Sequence, residues 1–229
     1  MNKRKVVVSI GGSVLVPGDD DATYIKGLAS MIREASNEAQ LVIVCGGGKI
    51  SRYYSEAGRE LGGTVSQLDM LGIGVTRVNA ALLALALGDL SSMDVPLTAE
   101  DAASRSASDN VVVMGGTAPG HTTDAVAAMV AKHLNADLVV NATSVDAVYS
   151  DDPRKVPGAK RFSRLTIKEL GEIVYKEHGA GSSGVFDPLG VKIAEENRID
   201  IVIVDGRDLS ELRNAILGKE VEGTFVNSH

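Results

Sequence analysis

Four polar segments, each following an apolar run, carry residue types that can hold phosphate. The first is Gly11-Gly12-Ser13 and the second is Gly46-Gly47-Gly48-Lys49. Glycine lets backbone N–H groups approach phosphate oxygens closely, and the start of a following helix favours an anion. Lys49 and Arg52, in the first turn of that helix, would add positive charge. Strand-ending glycines also serve ordinary tight turns, and either role fits these two segments taken singly. Ile50 follows Lys49 where a P-loop needs Ser or Thr, and the upstream glycine is missing, which argues against a Walker-type ATPase.

The third segment is Gly115-Gly116-Thr117-Ala118-Pro119-Gly120-His121-Thr122-Thr123-Asp124. Thr122 and Thr123 suit a helix N-cap, and Asp124 suits the positive end of that helix. His121 reads as an ordinary turn residue rather than a general base. Three glycines, three threonines and an aspartate exceed what a turn requires, so ligand binding is the better reading. The fourth segment, residues 141–153, contains Thr143, Tyr149 and Asp152. By composition it reads as a hairpin-like excursion turning at Asp151-Asp152-Pro153. A clamp on purine and ribose through Tyr149 and Asp152 is the alternative.

These segments need a scaffold, and the pattern between them supplies one. Apolar runs alternate with helical periodicity, which predicts βαβ units and a mostly parallel sheet, an α/β fold. Strands are expected over residues 5–10, 41–45, 110–114, 137–141, 201–204 and 223–226. Helices are expected over 22–39, 50–61, 67–87, 123–134, 165–174, 188–197 and 209–217, with a small-residue loop at 179–184. In an open α/β sheet the ligand crevice lies beyond the carboxyl ends of the strands, so the glycine turns can converge there. The helix at 67–87 has a wide apolar face; burial within one subunit and contact between subunits fit it equally.

The chain has 229 residues and a formal charge of −7. It reads as a single domain, with an N-terminal lobe over about 1–120 and a C-terminal lobe over about 121–229. Acidity without a Lys/Arg cluster makes nucleic acid an unsuitable partner. The lone Cys45 excludes an internal disulfide and a cysteine-based zinc site. No signal-peptide pattern follows the N-terminus, so no membrane partner and a cytoplasmic location are expected.

Taken in order, the four segments resemble the amino acid kinase family from Val6 to Phe225. Gly11-Gly12-Ser13-Val14-Leu15 with residues 119–124 is similar to its archaeal uridylate kinase branch. The resemblance implies a three-layer αβα sandwich and transfer of the γ-phosphoryl group of ATP to UMP, with Mg²⁺ accompanying ATP. It places Gly12, Ser13, Gly48 and Arg52 at the ATP phosphates, and Thr143, Tyr149 and Asp152 on the adenine nucleotide. Gly47, Asp69, Thr117, Ala118, Pro119, Gly120, His121, Thr122 and Thr123 would hold UMP. Asp124 would organise the catalytic centre, with Lys49 as a candidate catalytic cation. It also implies a homo-oligomer, a hexamer built as a trimer of dimers. Ser9 stands where many relatives carry a lysine, and Asp187 where acetylglutamate kinases carry a second; Lys192 is off register for that role. Phosphorylation of another small acceptor, or nucleotide or oxyanion binding without turnover, are the rival readings.

Overall fold

The computed structural model describes residues 3–18, 20–107, 111–153, 155–179 and 184–229. The first half of the chain forms β1 (Arg4–Ile10), α1 (Gly12–Leu15), α2 (Asp21–Ala35), β2 (Ala39–Cys45), α3 (Gly48–Glu60), α4 (Val65–Leu87), α5 (Ala99–Arg105) and β3 (Val111–Met114). There follow α6 (Thr123–Leu134), β4 (Leu138–Thr143), β5 (Val148–Tyr149), β6 (Arg161–Phe162), β7 (Arg164–Thr166), α7 (Ile167–Gly179), α8 (Pro188–Asn197), β8 (Asp200–Asp205), α9 (Leu209–Ile216) and β9 (Thr224–Asn227).

A seven-stranded sheet in the order β3-β2-β1-β4-β8-β9-β7 runs through the molecule. β3, β2, β1, β4 and β8 are parallel, and β9 pairs antiparallel with β8. The parallel strands are buried on both faces, which is why their sequences are continuous apolar runs rather than alternating ones. Val6, Val7 and Val8 are all fully buried, yet they divide between two cores. Val6 and Val8 pack with α2, α4 and α9, whereas Val7 packs with α5, α6, α7 and α8. The three-layer αβα sandwich is therefore present.

The chain moves from β1 outward to β2 and β3, then returns to β4 on the other side of β1. This reversal opens a crevice beyond the carboxyl ends of β1 and β4, the usual ligand position in such sheets.

Several boundaries differ from expectation. The helix expected over 22–39 stops at Ala35, because Asn37 and Glu38 donate to the carbonyls of Glu34 and Ala35 and turn the chain. Ala39 already opens β2, beside Arg4. The helix expected over 165–174 begins only at Ile167. Arg164 to Thr166 alternate outward, inward and outward as β7 and pair with β9. The short helix α5 escaped the sequence pattern. Asn110 and residues 180–183 of the expected loop lie outside the described residues. Helix α4 starts at a capping box in which Thr64 and Gln67 satisfy each other's backbone N–H. The apolar helix Val65–Leu90 is long enough, by length and composition, to cross a membrane. One face of α4 enters the core through Ala80, Leu83 and Leu87, while Val78 (68% exposed) and Leu85 (64%) face outward.

Candidate active site

The glycine turns meet at the carboxyl edge of the sheet. Gly12 lies backbone to backbone against the second turn. A Cβ built on Gly12 would stand 2.2 Å from Gly48 N and 2.5 Å from Gly47 C. Gly48 itself has φ of +64°, a left-handed conformation that glycine adopts without strain. Sequence distance is bridged here by two residues that lack side chains. The first N–H groups of α3 have no partner within their own helix and are available to an anion.

Two cavities flank this contact. One, of about 420 Å³, is lined by Gly47, Asp69, Ala118, Gly120, His121, Thr122 and Thr123, together with parts of α3 and α4. The other, of about 530 Å³, is lined by Ser13, Arg52, Thr143, Tyr149, Asp152 and the chain around Val185. The residues expected around an acceptor and around a nucleotide thus separate into two adjoining spaces. Thr117 and Pro119 belong to the same loop as the first cavity's lining without forming part of it. Gly12 and Gly48 make the contact between the two spaces. Lys49 is exposed and lines neither.

Asp124 lies in the first turn of α6, directly after the threonines of the first cavity. Thr122 caps this helix, accepting from Ala125 N at 3.2 Å, and its hydroxyl donates to Asp187 Oδ2 at 2.8 Å. Asp187 in turn caps α8, accepting from Leu189 N and Gly190 N. Two helix N-termini therefore meet at this point, tied by one hydroxyl, and their dipoles favour negative charge there. Asp187 thus serves as a cap and hydrogen-bond acceptor.

Ser9 holds Asp124. Its hydroxyl donates to Asp124 Oδ1 at 2.7 Å. Burial lifts the Asp124 carboxyl to about 6; the Ser9 bond opposes that rise and the negative charge of Asp187 adds to it. Ser9 pairs across the sheet with Asn141. Asn141 donates from Nδ2 to Val185 O at 2.9 Å, fixing the wall of the second cavity. Two buried polar side chains on otherwise apolar strands thus sit side by side at the crevice. One orients the carboxylate and the other orients a loop.

Helix α4 contributes residues that lie outside the four glycine- and threonine-bearing segments. Thr76 accepts from Gly116 N at 2.7 Å, and Arg77 donates to Gly116 O and Thr117 O, each at 3.2 Å. Asn79 donates to Gly46 O at 2.8 Å. Gly115 lets this helix come close, since a Cβ there would lie 2.7 Å from Thr76 C and Arg77 N. Asp69, one of the expected residues, accepts from Gly120 N at 2.8 Å. A run of polar residues inside an apolar helix was the available signal for Thr76, Arg77 and Asn79.

In the fourth segment the hairpin reading holds, since β5 pairs antiparallel with β6. Tyr149 donates to Asp146, which also accepts from Arg161, so the ring at the second cavity is held by a charged network. Cys45 is fully buried, and burial pushes its thiol up, so it offers no nucleophile.

Fold and site together define the class: the chain belongs to the amino acid kinase family, whose sequence model matches residues 4–205. Within that family it is similar to archaeal uridylate kinases. That of Methanococcoides burtonii is 44% identical over 218 residues, covering 95% of this chain and 93% of that protein. That of Methanocaldococcus jannaschii is 43% identical, covering 97% of this chain and 99% of that protein. The crystal structure of uridylate kinase from Archaeoglobus fulgidus superposes with a TM-score of 0.88 at 40% identity, covering 97% of this chain and 99% of that one.

Proposed function

We propose that this protein is an ATP-dependent UMP kinase, forming UDP and ADP in pyrimidine nucleotide synthesis. The observation that carries this reading is the pair of adjoining cavities meeting at the Gly12–Gly48 contact, beside Asp124. Similarity to uridylate kinases along nearly the whole chain supports the same assignment. UMP occupies the cavity lined by Asp69, Ala118 and residues 120–123, and ATP occupies that lined by Ser13, Arg52, Thr143 and Tyr149. An N-terminal lobe over about 1–120 then lines most of the acceptor cavity and a C-terminal lobe most of the nucleotide cavity, with residues 121–123 crossing to the former and Ser13 and Arg52 to the latter.

An oxygen of the UMP phosphate attacks the γ-phosphorus of ATP in line, and the bond to the bridging oxygen of ADP breaks. The attacking oxygen is already an anion near neutral pH, so positioning and charge stabilisation dominate over general-base catalysis. The glycine-turn N–H groups, the N-termini of α3, α6 and α8, and Arg52 supply that stabilisation. Asp124, held by Ser9, organises the reacting groups. Lys49 remains a candidate cation that would have to reach the site from the exposed first turn of α3.

Among the described residues no group of three or more His, Cys, Asp or Glu could by itself hold a metal ion. That suits Mg²⁺ arriving with ATP, since Mg²⁺ is commonly bound by substrate phosphates with one or two carboxylates. Asp124 would be the carboxylate to assist, and Mg²⁺ would supply charge neutralisation at the phosphates.

The outward face of α4, with Val78, Leu85 and Met70 exposed, supports self-association into a homo-oligomer built from dimers, a hexamer by family resemblance. A soluble cytoplasmic enzyme without nucleic-acid or membrane partners follows from this reading. The test is a coupled ADP-release assay with purified protein, MgATP and a panel of UMP, CMP, acetylglutamate and isopentenyl phosphate. Turnover with UMP well above the others is expected. Nucleotide binding without ADP release would refute the reading in favour of a storage or sensor role.

A further inference from the structure

A third cavity, of about 630 Å³, lies away from the proposed substrate spaces. It sits on the sheet face covered by α2 and α9, toward the amino ends of β1 and β4. Helix α9 is only eight residues long and ends before it can cover β9 and β7. The space it leaves is floored by Leu138, Val202 and Phe225 and rimmed by Arg4, Arg164, Lys219 and Glu220.

The charge of this rim is inverted relative to the chain. Three cations face one carboxylate in a protein of net charge −7. Among the described residues, none of Arg4, Arg164 and Lys219 has an ion-pair partner, although eight other lysine and arginine side chains do. Arg164 is instead laid over the Phe225 ring, its guanidinium carbon 5.6 Å from the ring centroid. That contact preorganises the guanidinium and leaves its N–H groups unspent. The Arg4 guanidinium lies against the Cα of Gly218, where any side chain would collide with it. Gly218 has φ of +67° and closes α9, so the glycine that ends the helix also makes room for the arginine.

We infer that this cavity is a binding site for a small polyphosphate-bearing anion, separate from the two substrate spaces. Two preset guanidiniums and a flexible ammonium suit several phosphate oxygens at once. An apolar floor beside them lowers the local dielectric and strengthens each contact. The strands beneath the site, β1, β4 and β8, are those that carry Ser9, Asn141 and Asp205 toward the opposite edge.

The test uses the full chain with its substrate cavities filled by UMP and a non-hydrolysable ATP analogue. Isothermal titration with inorganic tripolyphosphate, and separately with CTP, reads binding at the remaining site. One saturable event per chain is expected for tripolyphosphate, weakening as salt is raised. Tighter CTP binding would show that the floor also accepts a nucleoside, and equal binding would show that phosphate alone is read. Arg4→Gln with Arg164→Gln, checked for folding by thermal melting, should weaken binding about tenfold or more. Lys219→Gln is at an exposed position and decides the matter if the double variant misfolds; a loss of severalfold is expected. No binding once the substrate cavities are filled, or affinity unchanged in the soluble variants, would overturn the inference.

Discussion

Replacing Ser9 with alanine removes one hydroxyl from a fully packed strand and leaves Asp124 without its 2.7 Å donor. A hydrogen bond to an ionised group contributes about 1.5–3 kcal/mol, and one pKa unit corresponds to about 1.4 kcal/mol. Ser9 stabilises the charged carboxylate, so its loss should raise the Asp124 value from about 6 by about one to two units. At pH 7 the ionised fraction would fall from about nine-tenths to between about a half and a tenth. The assay is turnover at saturating UMP and MgATP across the pH range. The acidic limb of the profile should move to higher pH in Ser9→Ala, with activity recovering at alkaline pH. The UMP phosphate titrates in the same region, but it is common to both enzymes, so only the difference is read. Asp187→Asn keeps the α8 cap and removes a negative charge that raises Asp124; it should move the limb the other way. Unmoved limbs, or an equal loss at every pH, would refute the reasoning and leave Ser9 a purely structural residue.

Asp124→Asn should abolish most turnover while stabilising the fold. Its carboxyl holds a proton more tightly when folded, so stability falls between the ordinary carboxylate value of 3.8 and about pH 6 as the charge forms. The amide should recover about 1–3 kcal/mol at pH 7 and flatten that slope in calorimetric melts. Gly12→Ala places a methyl group within 2.6 Å of backbone atoms in Gly46, Gly47 and Gly48, none of which can rotate away. A loss of about 3 kcal/mol or more in denaturant titrations is expected, with turnover lost as the turns separate. Arg77→Ala frees the carbonyls of Gly116 and Thr117 and loosens the acceptor loop. Steady-state kinetics should show KM for UMP rising about tenfold with KM for ATP nearly unchanged. Val78→Asp, on the exposed face of α4, should dissociate the proposed oligomer in sedimentation experiments.

Much of the fold was legible as a pattern of burial. The runs at residues 5–10 and 41–45 are apolar without alternation because both faces of those strands are covered, and the strands form where expected. Helices α6 and α8 span residues 123–134 and 188–197 as expected, and Thr122, read as an N-cap, caps the first of them. β7 was hidden because three residues carry too little periodicity to separate from the helix that follows. The turn at Ser36 to Glu38 was hidden because the backbone bonds of Asn37 and Glu38 that turn the chain are not reported by apolar periodicity.

The sequence by itself determined the apolar strands, the glycines at their ends and the family to which the chain belongs. Each of these depends on residue type at a position or on spacing along the chain. Only the tertiary structure decided that Ser9 meets Asp124, 115 positions away, that Asn141 holds Val185, and that Arg77 holds Gly116 and Thr117. A buried polar side chain announces in sequence that it needs a partner, because leaving it unpaired is costly. Which partner it finds depends on how the strands and helices pack, and that is set by the whole core at once.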